Sequence, residues 1–566
     1  MAAGEAGAGH GRMVLDLGRY RRAVEARLDR WERERFLRRM RSKDHTLWSP
    51  VIAPELSDRL GWLFLPETMA GAVEGLEKFV DEARGEGTRK VLLLGMGGSS
   101  LAPELFQLTF GNRRGFPRLA VLDSTHPAAV ARAGRGLDLE RTLFMVSSKS
   151  GGTTETSSFF WYFWKRVADI SPEPGGQFVA ITDPGTSLAK LAAELRFRRV
   201  FFGDPEVGGR YSALSPFGLV PAALIGMDVA RLLGRAGGAA DECKADREAR
   251  GSGGLVLGAA IGELALAGRD KLTFFVSRSL AGLPAWLEQL VAESTGKLGK
   301  GIVTVSDEPR MPAARYGKDR LFVFIDLKGD RDGHGALAER LSGMGHPVVR
   351  IHLADRYDIG YEMYRWEVAT AAAGAMMGIN PFDQPDVQLA KDMAKRAMAA
   401  DGGALDRSGA GGPGASGATV DATDAKGLEK GLGAWLEKAR KGDYVAIMAF
   451  LPPDGRTTAA LQGLRAVLQR RTGLPTTLGY GPRFLHSTGQ LHKGGPDTGL
   501  FLQLVDDVGD ELEVPGTDYT FGRLVRAQAL GDLAALERRG RRVLSVVLGR
   551  DAAGGIMSIS GAIRTQ

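Results

Sequence analysis

The chain has 566 residues, of which 44% are hydrophobic and 25% are charged, and its formal net charge is +7. This length exceeds what one hydrophobic core usually holds, so it excludes a small module and predicts two to four packed units. The only cysteine, Cys243, excludes an internal disulfide and a cysteine-based metal cluster and indicates a reducing compartment. Without an apolar signal core or a long uncharged apolar run, a cytoplasmic protein with no membrane partner is expected.

The N-terminal region, residues 1–86, has a charged, helical pattern that predicts a helical cap. Its most basic run, Arg30–Lys43, is where a nucleic acid would bind first. Two glutamates interrupt this run, and its apolar residues recur at helical spacing, so an amphipathic helix is the better interpretation. The apolar positions are Trp31, Phe36, Leu37 and Met40. We therefore expect no nucleic-acid partner.

Short apolar runs alternate with helical stretches over the next 300 residues. The runs begin at residues 91, 118, 143, 178 and 198 and again at residues 271, 301, 320 and 347. Near-continuous apolar strands separated by helices are typical of parallel sheets covered on both faces. The sequence therefore predicts an α/β fold with two three-layer domains, residues 87–250 and residues 251–400.

A Gly/Ala/Ser-rich segment, residues 401–426, contains no aromatic residue and is typical of a flexible linker or mobile loop. Further apolar runs begin at residues 443, 476, 498 and 541. They predict a C-terminal α/β segment over residues 427–566.

The first chemically distinctive segment is VLLLGMGGSS, which begins at Val91. Its glycines follow a buried strand and precede a helix, so the backbone can approach a ligand there. A dinucleotide site is the competing interpretation, with Asp123 as the ribose-binding acid. The fingerprint is incomplete, however, because Ser100 stands where the third glycine belongs.

The second segment, SSKSGGTTET, places several hydroxyls and two glycines between a strand and a helix. Helix N-termini bind anions through free N–H groups and the helix dipole, and the hydroxyls add donors, so a monophosphate fits. A serine- and threonine-rich helix cap is the simpler alternative, but it explains only one or two of these residues. A Walker A loop is excluded because Lys149 precedes the glycines.

Together with VGGRYSALSPFGL at residue 207, this turn resembles the sugar-isomerase (SIS) fold of glucose-6-phosphate isomerases. The similarity continues in WLEQLVAESTGKLGKG at residue 286, NPFDQPDVQLAK at residue 380 and FLHSTGQLHKGG at residue 484. The motifs extend from about residue 91 to residue 495, and their combination is far more specific than any one of them.

The resemblance implies interconversion of glucose 6-phosphate and fructose 6-phosphate through a cis-enediolate, without metal or cofactor, in a homodimer. The implied catalytic residues are Glu293, Arg210, Lys391 and His486. The implied substrate- and phosphate-binding residues are Gly98, Ser99, Ser148, Lys149, Ser150, Thr153, Gly209, Gln289 and Gln384.

The chemistry of these residue types suits the implied roles. Glu293 is the base that moves a proton between C2 and C1, and the permanently charged Arg210 stabilises the enediolate oxygen. His486 titrates near neutral pH and is a credible acid for opening the sugar ring. Lys391 assists that step, and its apolar neighbours Val387 and Leu389 predict a partly sheltered ammonium group.

The chain departs from the usual family pattern in the order of its motifs. The histidine ordinarily precedes the lysine, whereas here Lys391 precedes His486, so His486 is expected to arrive from a neighbouring subunit or across the linker. His352 ends a predicted strand and is the best rival, ahead of His334 and His346. Gln388 replaces the usual glutamate, and Gly152 a common threonine.

The displaced histidine segment resembles the isomerase half of bifunctional transaldolase/glucose-6-phosphate isomerases. Only about ninety residues precede the first predicted strand, which is too few for a transaldolase barrel. Two other functions stay open at this point. One is a non-catalytic regulator that binds a sugar phosphate, and the other is an isomerase of mannose 6-phosphate or an amino-sugar phosphate.

Overall fold

The computed structural model describes residues 4–6, 11–244, 246–399, 418–508 and 511–565. It confirms the α/β prediction, because three mostly parallel sheets are interleaved with helices. All thirteen apolar runs in the predicted series form strands. Within the described residues, no helix combines the length and the apolarity needed to cross a membrane.

The N-terminal region is mainly helical, as predicted, but it also contributes two strands. Its elements are β1 (Gly4–Ala6), β2 (Arg12–Asp16), α1 (Arg21–Arg33), α2 (Phe36–Arg41), α3 (Leu65–Ala70) and α4 (Val73–Gly85). The amphipathic prediction for the basic run is confirmed, since Trp31, Phe36, Leu37 and Met40 are all buried. A left-handed residue, Arg35, breaks the run into two helices.

The first sheet has the strand order β4-β3-β5-β6-β7 and is entirely parallel. Its strands are β3 (Lys90–Gly95), β4 (Arg118–Leu122), β5 (Thr142–Ser147), β6 (Phe178–Thr182) and β7 (Arg199–Phe202). Its helices are α5 (Gly98–Phe110), α6 (Pro127–Gly134), α7 (Thr154–Ala168), α8 (Ser187–Glu194) and α9 (Pro216–Leu224). Because Gly95 pairs with Ser147, the two chemically distinctive turns leave the same sheet edge side by side.

The second sheet has the order β1-β2-β11-β10-β8-β9, and only β1 and β2 run antiparallel to their neighbours. Its other strands are β8 (Lys271–Val276), β9 (Val303–Val305), β10 (Arg320–Leu327) and β11 (Val348–Leu353). The helices of this part are α10 (Val229–Glu242), α11 (Gly253–Leu266), α12 (Leu283–Glu288), α13 (His334–Gly343), α14 (Asp358–Met377) and α15 (Val387–Ala399). One continuous core joins this sheet to the first sheet and to the N-terminal helices.

The third sheet has the order β12-β16-β15-β13-β14 and is entirely parallel, with its own core on one face and a core shared with Ala292, Val303 and Val305 on the other. Its strands are β12 (Ala418–Asp421), β13 (Tyr444–Phe450), β14 (Thr476–Tyr480), β15 (Gly499–Val505) and β16 (Arg542–Val547). Its helices are α16 (Ala425–Leu436), α17 (Gly455–Thr472), α18 (Gly489–Gly494), α19 (Phe521–Arg538) and α20 (Ala552–Thr565). Arg465 attaches this part to the second sheet by donating to the carbonyls of Ser306 and Asp307, at 2.9 Å each.

The predicted linker, residues 401–426, is wrong at its C-terminal end. Ala418–Asp421 pair with β16 as the edge strand of the third sheet, and α16 begins at Ala425. A four-residue edge strand shows too little apolar alternation to stand out from a Gly/Ala/Ser-rich background. Residues 401–417 lie outside the described residues.

Candidate active site

The glycine turn after β3 lies against protein backbone and side chains. Gly97 has a positive φ of 56°, and a Cβ there would lie 3.0 Å from both Gln289 Nε2 and His486 Cβ. A Cβ on Gly98 would lie 2.0 Å from the Gly209 carbonyl oxygen. These glycines therefore let the turn pack against three other site segments, and a close approach to a ligand stays a prediction. Ser99, in the first turn of α5, is buried.

The turn between β5 and α7, residues 148–153, is called the hydroxyl turn here. It brings the predicted phosphate-binding groups to the N-terminus of α7. Ser148 Oγ and Thr153 Oγ1 are 2.9 Å apart, and Ser150 is exposed. The first N–H groups of a helix have no partner within the helix, so this turn offers donors to an anion. Lys149, by contrast, forms an ion pair with Asp183 at the end of β6.

Arg210 and Glu293 form a buried ion pair, with Arg210 Nη1 3.2 Å from Glu293 Oε1. Arg210 lies in a short 3-10 turn, Gly209–Tyr211, and is only 3% exposed. Its guanidinium also donates to Ser294 Oγ at 2.8 Å and to Gln384 Oε1 at 3.0 Å. Such complete hydrogen bonding fixes the guanidinium plane beside the carboxylate.

Glu293 ends a π-helical turn, Gln289–Glu293, that directly continues α12. Such π turns inside helices are frequent at functional sites. Gln289 Nε2 lies 3.2 Å from Glu293 Oε2 and 2.8 Å from the carbonyl oxygen of His486. Gln289 therefore links the Arg210–Glu293 pair to the histidine segment.

His486 reaches the site within the same chain. It ends a 3-10 turn, Arg483–His486, that follows β14 of the third sheet. Its Nε2 lies 3.0 Å from Glu155 Oε1, and Gln528 Nε2 donates to the same oxygen at 2.7 Å. Of the two routes expected for His486, the structure shows the one within a single chain, in which the third sheet packs against the first two.

Glu155 is a site residue that the sequence analysis missed. It lies in the first turn of α7, one residue after Thr154, and is buried. Burial raises the pKa of the Glu155 carboxyl, but His486 and, more weakly, Lys391 outweigh that effect and lower it below 4.5. A carboxylate next to a phosphate-binding turn needs a cationic partner. The glutamate in TTET could therefore have been identified from the sequence as a site residue.

The dinucleotide interpretation depended on Asp123. In the structure its carboxylate is paired with an arginine of the same chain. Its Oδ2 lies 3.2 Å from Arg483 Nε, and the same guanidinium forms an ion pair with Glu104 of α5. Burial raises the pKa of Asp123, and the Arg483 charge opposes that rise. Arg483 thus attaches the turn carrying His486 to the first sheet.

The rival histidines lie elsewhere. His352 is exposed on β11 and pairs with Arg12 of β2. His334 is buried with Nδ1 2.7 Å from Asp326 Oδ1, and His346 is buried against Phe322. Of the candidate histidines, all of which lie in the described residues, only His486 is hydrogen-bonded to Gln289, through its backbone carbonyl oxygen.

Lys391 lies in α15 and is exposed, so the prediction of a partly sheltered ammonium group is wrong. Its side chain is exposed although it lies one helical turn after the buried Val387, on the same side of the helix. Its effect on the pKa of Glu155 places its charge within electrostatic range of His486's partner. Lys391 is therefore near the assembled residues and is not held by them.

Comparison with known proteins gives one consistent result. The family model described as Phosphoglucose isomerase matches residues 78–308. A glucose-6-phosphate isomerase of Rubrobacter xylanophilus is 31% identical over 386 residues, which cover 59% of this chain and 88% of the relative. One from Thermus thermophilus is 29% identical over 392 residues, covering 61% of this chain and 91% of the relative.

A solved glucose-6-phosphate isomerase structure from Chlamydia trachomatis gives a TM-score of 0.56 at 19% identity. The similarity covers 70% of this chain and 89% of that chain. At this level of identity the structural match supports the fold.

Proposed function

This chain belongs to the glucose-6-phosphate isomerase family and interconverts glucose 6-phosphate and fructose 6-phosphate, and we propose that Glu293 and Arg210 carry its central proton transfer. The observation that supports this assignment is the 3.2 Å pair of a buried carboxylate and a buried guanidinium. A base must lie beside the cation that receives the developing negative charge, and these two groups satisfy that requirement.

The substrate is held through its phosphate by the hydroxyl turn. Ser148, Thr153 and the first N–H groups of α7 donate to the phosphate oxygens, with Ser150 and the Ser99 turn alongside. Lys149 contributes positive charge from its ion pair with Asp183. Since this end of the sugar does not react, its binding energy fixes the orientation of C1 and C2.

In the forward direction, Glu293 removes the proton from C2 of the open-chain aldose. The electron pair of the C2–H bond forms the C1–C2 double bond, and negative charge develops on the former carbonyl oxygen beside Arg210. Glu293 then returns its proton to C1, while the O2 proton moves to O1 to leave the ketose. A guanidinium group carries a permanent positive charge in proteins, so this charge is present throughout the reaction.

Ring opening precedes this transfer, and His486 is the proposed acid. Its Nε2 contact with Glu155 orients the imidazole and stabilises the imidazolium form, as a buried carboxylate does for a catalytic histidine. Lys391 adds a nearby positive charge that helps proton delivery to the ring oxygen. Gln289 and Gln384 fix the positions of the participating groups.

The direct test of activity measures conversion of glucose 6-phosphate to fructose 6-phosphate by purified protein, alongside mannose 6-phosphate and glucosamine 6-phosphate. We expect turnover of glucose 6-phosphate to exceed that of the other two. A protein that binds glucose 6-phosphate without converting it would instead be the sugar-phosphate regulator. Preferred turnover of either other substrate would reassign the substrate.

We also propose that the protein acts in the cytoplasm as a homodimer. The buried lone cysteine, Cys243, is compatible with a reducing compartment. Light scattering during size-exclusion chromatography tests the dimer, for which a mass of about twice 60.5 kDa is expected. A mass of one chain at micromolar concentration would contradict it.

A further inference from the structure

Lys297 is a buried cation that the proposed mechanism does not use. It lies four residues after Glu293, in a tight turn closed by pairing with Lys300, and its side chain is only 3% exposed. Its Nζ donates to the carbonyl oxygen of Asn380 at 2.5 Å and forms an ion pair with Asp383 Oδ1 at 2.8 Å. Both partners belong to one short segment, residues 380–384.

The same segment surrounds the Arg210 guanidinium. Arg210 Nη2 donates to the carbonyl oxygens of Pro381 and Asp383, at 2.7 and 2.8 Å, and Nη1 donates to Gln384 Oε1 at 3.0 Å. Lys297 thus contacts residues 380 and 383, and Arg210 contacts residues 381, 383 and 384. The segment is a bridge between two buried cations.

Burying the Lys297 ammonium group near the Arg210 guanidinium costs free energy. Burial lowers the pKa of Lys297 to about 7, the Arg210 charge lowers it as well, and Asp383 and Glu293 oppose both effects. A hydrophobic residue at this position avoids the cost of burying an ammonium group near a guanidinium. Buried charge retained next to a reacting pair indicates a functional reason for its presence.

We propose that Lys297 is a positioning residue that fixes segment 380–384 and, through it, the Arg210 guanidinium where negative charge develops on the substrate. Lys297 acts without touching the substrate. The inference rests on the proposed role of Arg210 in the function above. It predicts that loss of Lys297 weakens stabilisation of the enediolate more than it weakens binding of the substrate.

The test uses Lys297→Met, which keeps the aliphatic stem and removes the charge, with Lys300→Met as the matched control. Lys300 is exposed in the same turn, and its Nζ donates to the Met377 carbonyl, which lies outside the segment. The measurements are kcat, KM and the inhibition constant of a phosphorylated hydroxamate that mimics the enediolate. Arg210→Met is the reference for complete loss of the guanidinium.

We expect Lys297→Met to lower kcat and to weaken hydroxamate binding by about tenfold to a hundredfold, with KM changed less than about threefold. Lys300→Met should change each quantity less than about threefold. If Lys297→Met does not fold, Asp383→Asn removes the other half of the ion pair and should show the same division of effects, at smaller size.

Equal weakening of substrate and hydroxamate, or unchanged hydroxamate binding in a folded Lys297→Met protein, would overturn the inference. So would an equal loss in Lys300→Met. If Arg210→Met itself leaves hydroxamate binding unchanged, the proposed role of Arg210 fails. If Arg210→Met weakens it and Lys297→Met does not, only the role of Lys297 fails.

Discussion

The proposed proton-transfer residues and the proposed ring-opening histidine come from regions that are built differently. Arg210, Glu293 and the hydroxyl turn belong to the first two sheets, which share one continuous core. His486 follows a strand of the third sheet, which has a separate core on one face and on the other shares a core with Ala292, Val303 and Val305 of the second part. The proposed proton-transfer residues therefore lie within one core, whereas the proposed ring-opening histidine depends on the packing of a sheet that shares only part of its core with the rest.

The largest expected effect comes from Glu293→Gln, which removes the base from the first region and keeps its shape. We expect kcat to fall by about 10²–10⁴-fold with little change in KM. A coupled assay of fructose 6-phosphate formation measures both constants. Glu288→Gln, in the preceding helical turn, is the matched control and should keep near-normal kcat. Near-normal turnover in Glu293→Gln would remove the base assignment.

His486→Asn separates ring opening from proton transfer, because it keeps the backbone carbonyl that Gln289 binds. We expect turnover of the closed-ring sugar to fall by about 10²-fold, while hydrogen exchange at C1 of a ring-opened analogue changes by less than about threefold. His352→Asn is the control and should behave like the unmodified protein. Equal losses on both substrates would contradict the division of labour between the two regions.

Ser148→Ala combined with Thr153→Ala tests the proposed phosphate contacts within the first region. Both hydroxyls are donors to the phosphate in the proposed complex, so KM should rise by about tenfold to a hundredfold with a smaller fall in kcat. Ser171→Ala, beyond the C-terminal end of α7, is the control and should leave KM unchanged. An unaltered KM in the double variant would relocate the phosphate site.

The smallest effect concerns stability, at Glu288 between the two regions. Burial raises the pKa of Glu288 to about 8 against the opposing charge of Arg465. The folded pKa of Glu288 lies above the unfolded value of 4.5. Its contribution to folding stability therefore falls as pH rises from about 4.5 to about 8 and is constant above that window.

Glu288→Gln removes this dependence. We expect the variant to exceed the unmodified protein in free energy of unfolding by about 1–3 kcal/mol at pH 9 and by much less at pH 5. Denaturant titrations at both pH values measure this. A difference that is the same at pH 5 and pH 9 would show that Glu288 ionises normally.

The fold was largely predictable because buried parallel strands are continuous apolar runs. The runs from Val91 to Val547 all formed strands, whereas the short edge strands β1 and β12, with only one or two apolar residues each, and β2 beside β1 were missed. Edge strands depend on their neighbour for pairing, and a sequence does not show which neighbour is available.

The site was predictable in its residue types but not in its partners. The motifs identified Arg210, Glu293 and Gln384, which the structure brings together. They did not identify Glu155 or Lys297, since a carboxylate or an ammonium group acquires its role from the group it meets in three dimensions. The pairing of Lys149 with Asp183 was equally invisible, because thirty-four residues separate the two.

We propose that one chain completes its own active site with residues from the parts built around all three sheets. The most direct test of this proposal mixes Glu293→Gln and His486→Asn subunits under conditions in which mixed oligomers form and are verified. This account predicts no recovery of activity, because every chain lacks either its base or its acid. Recovery to about a quarter of normal activity, the value for random dimers that exchange His486 between subunits, would contradict it.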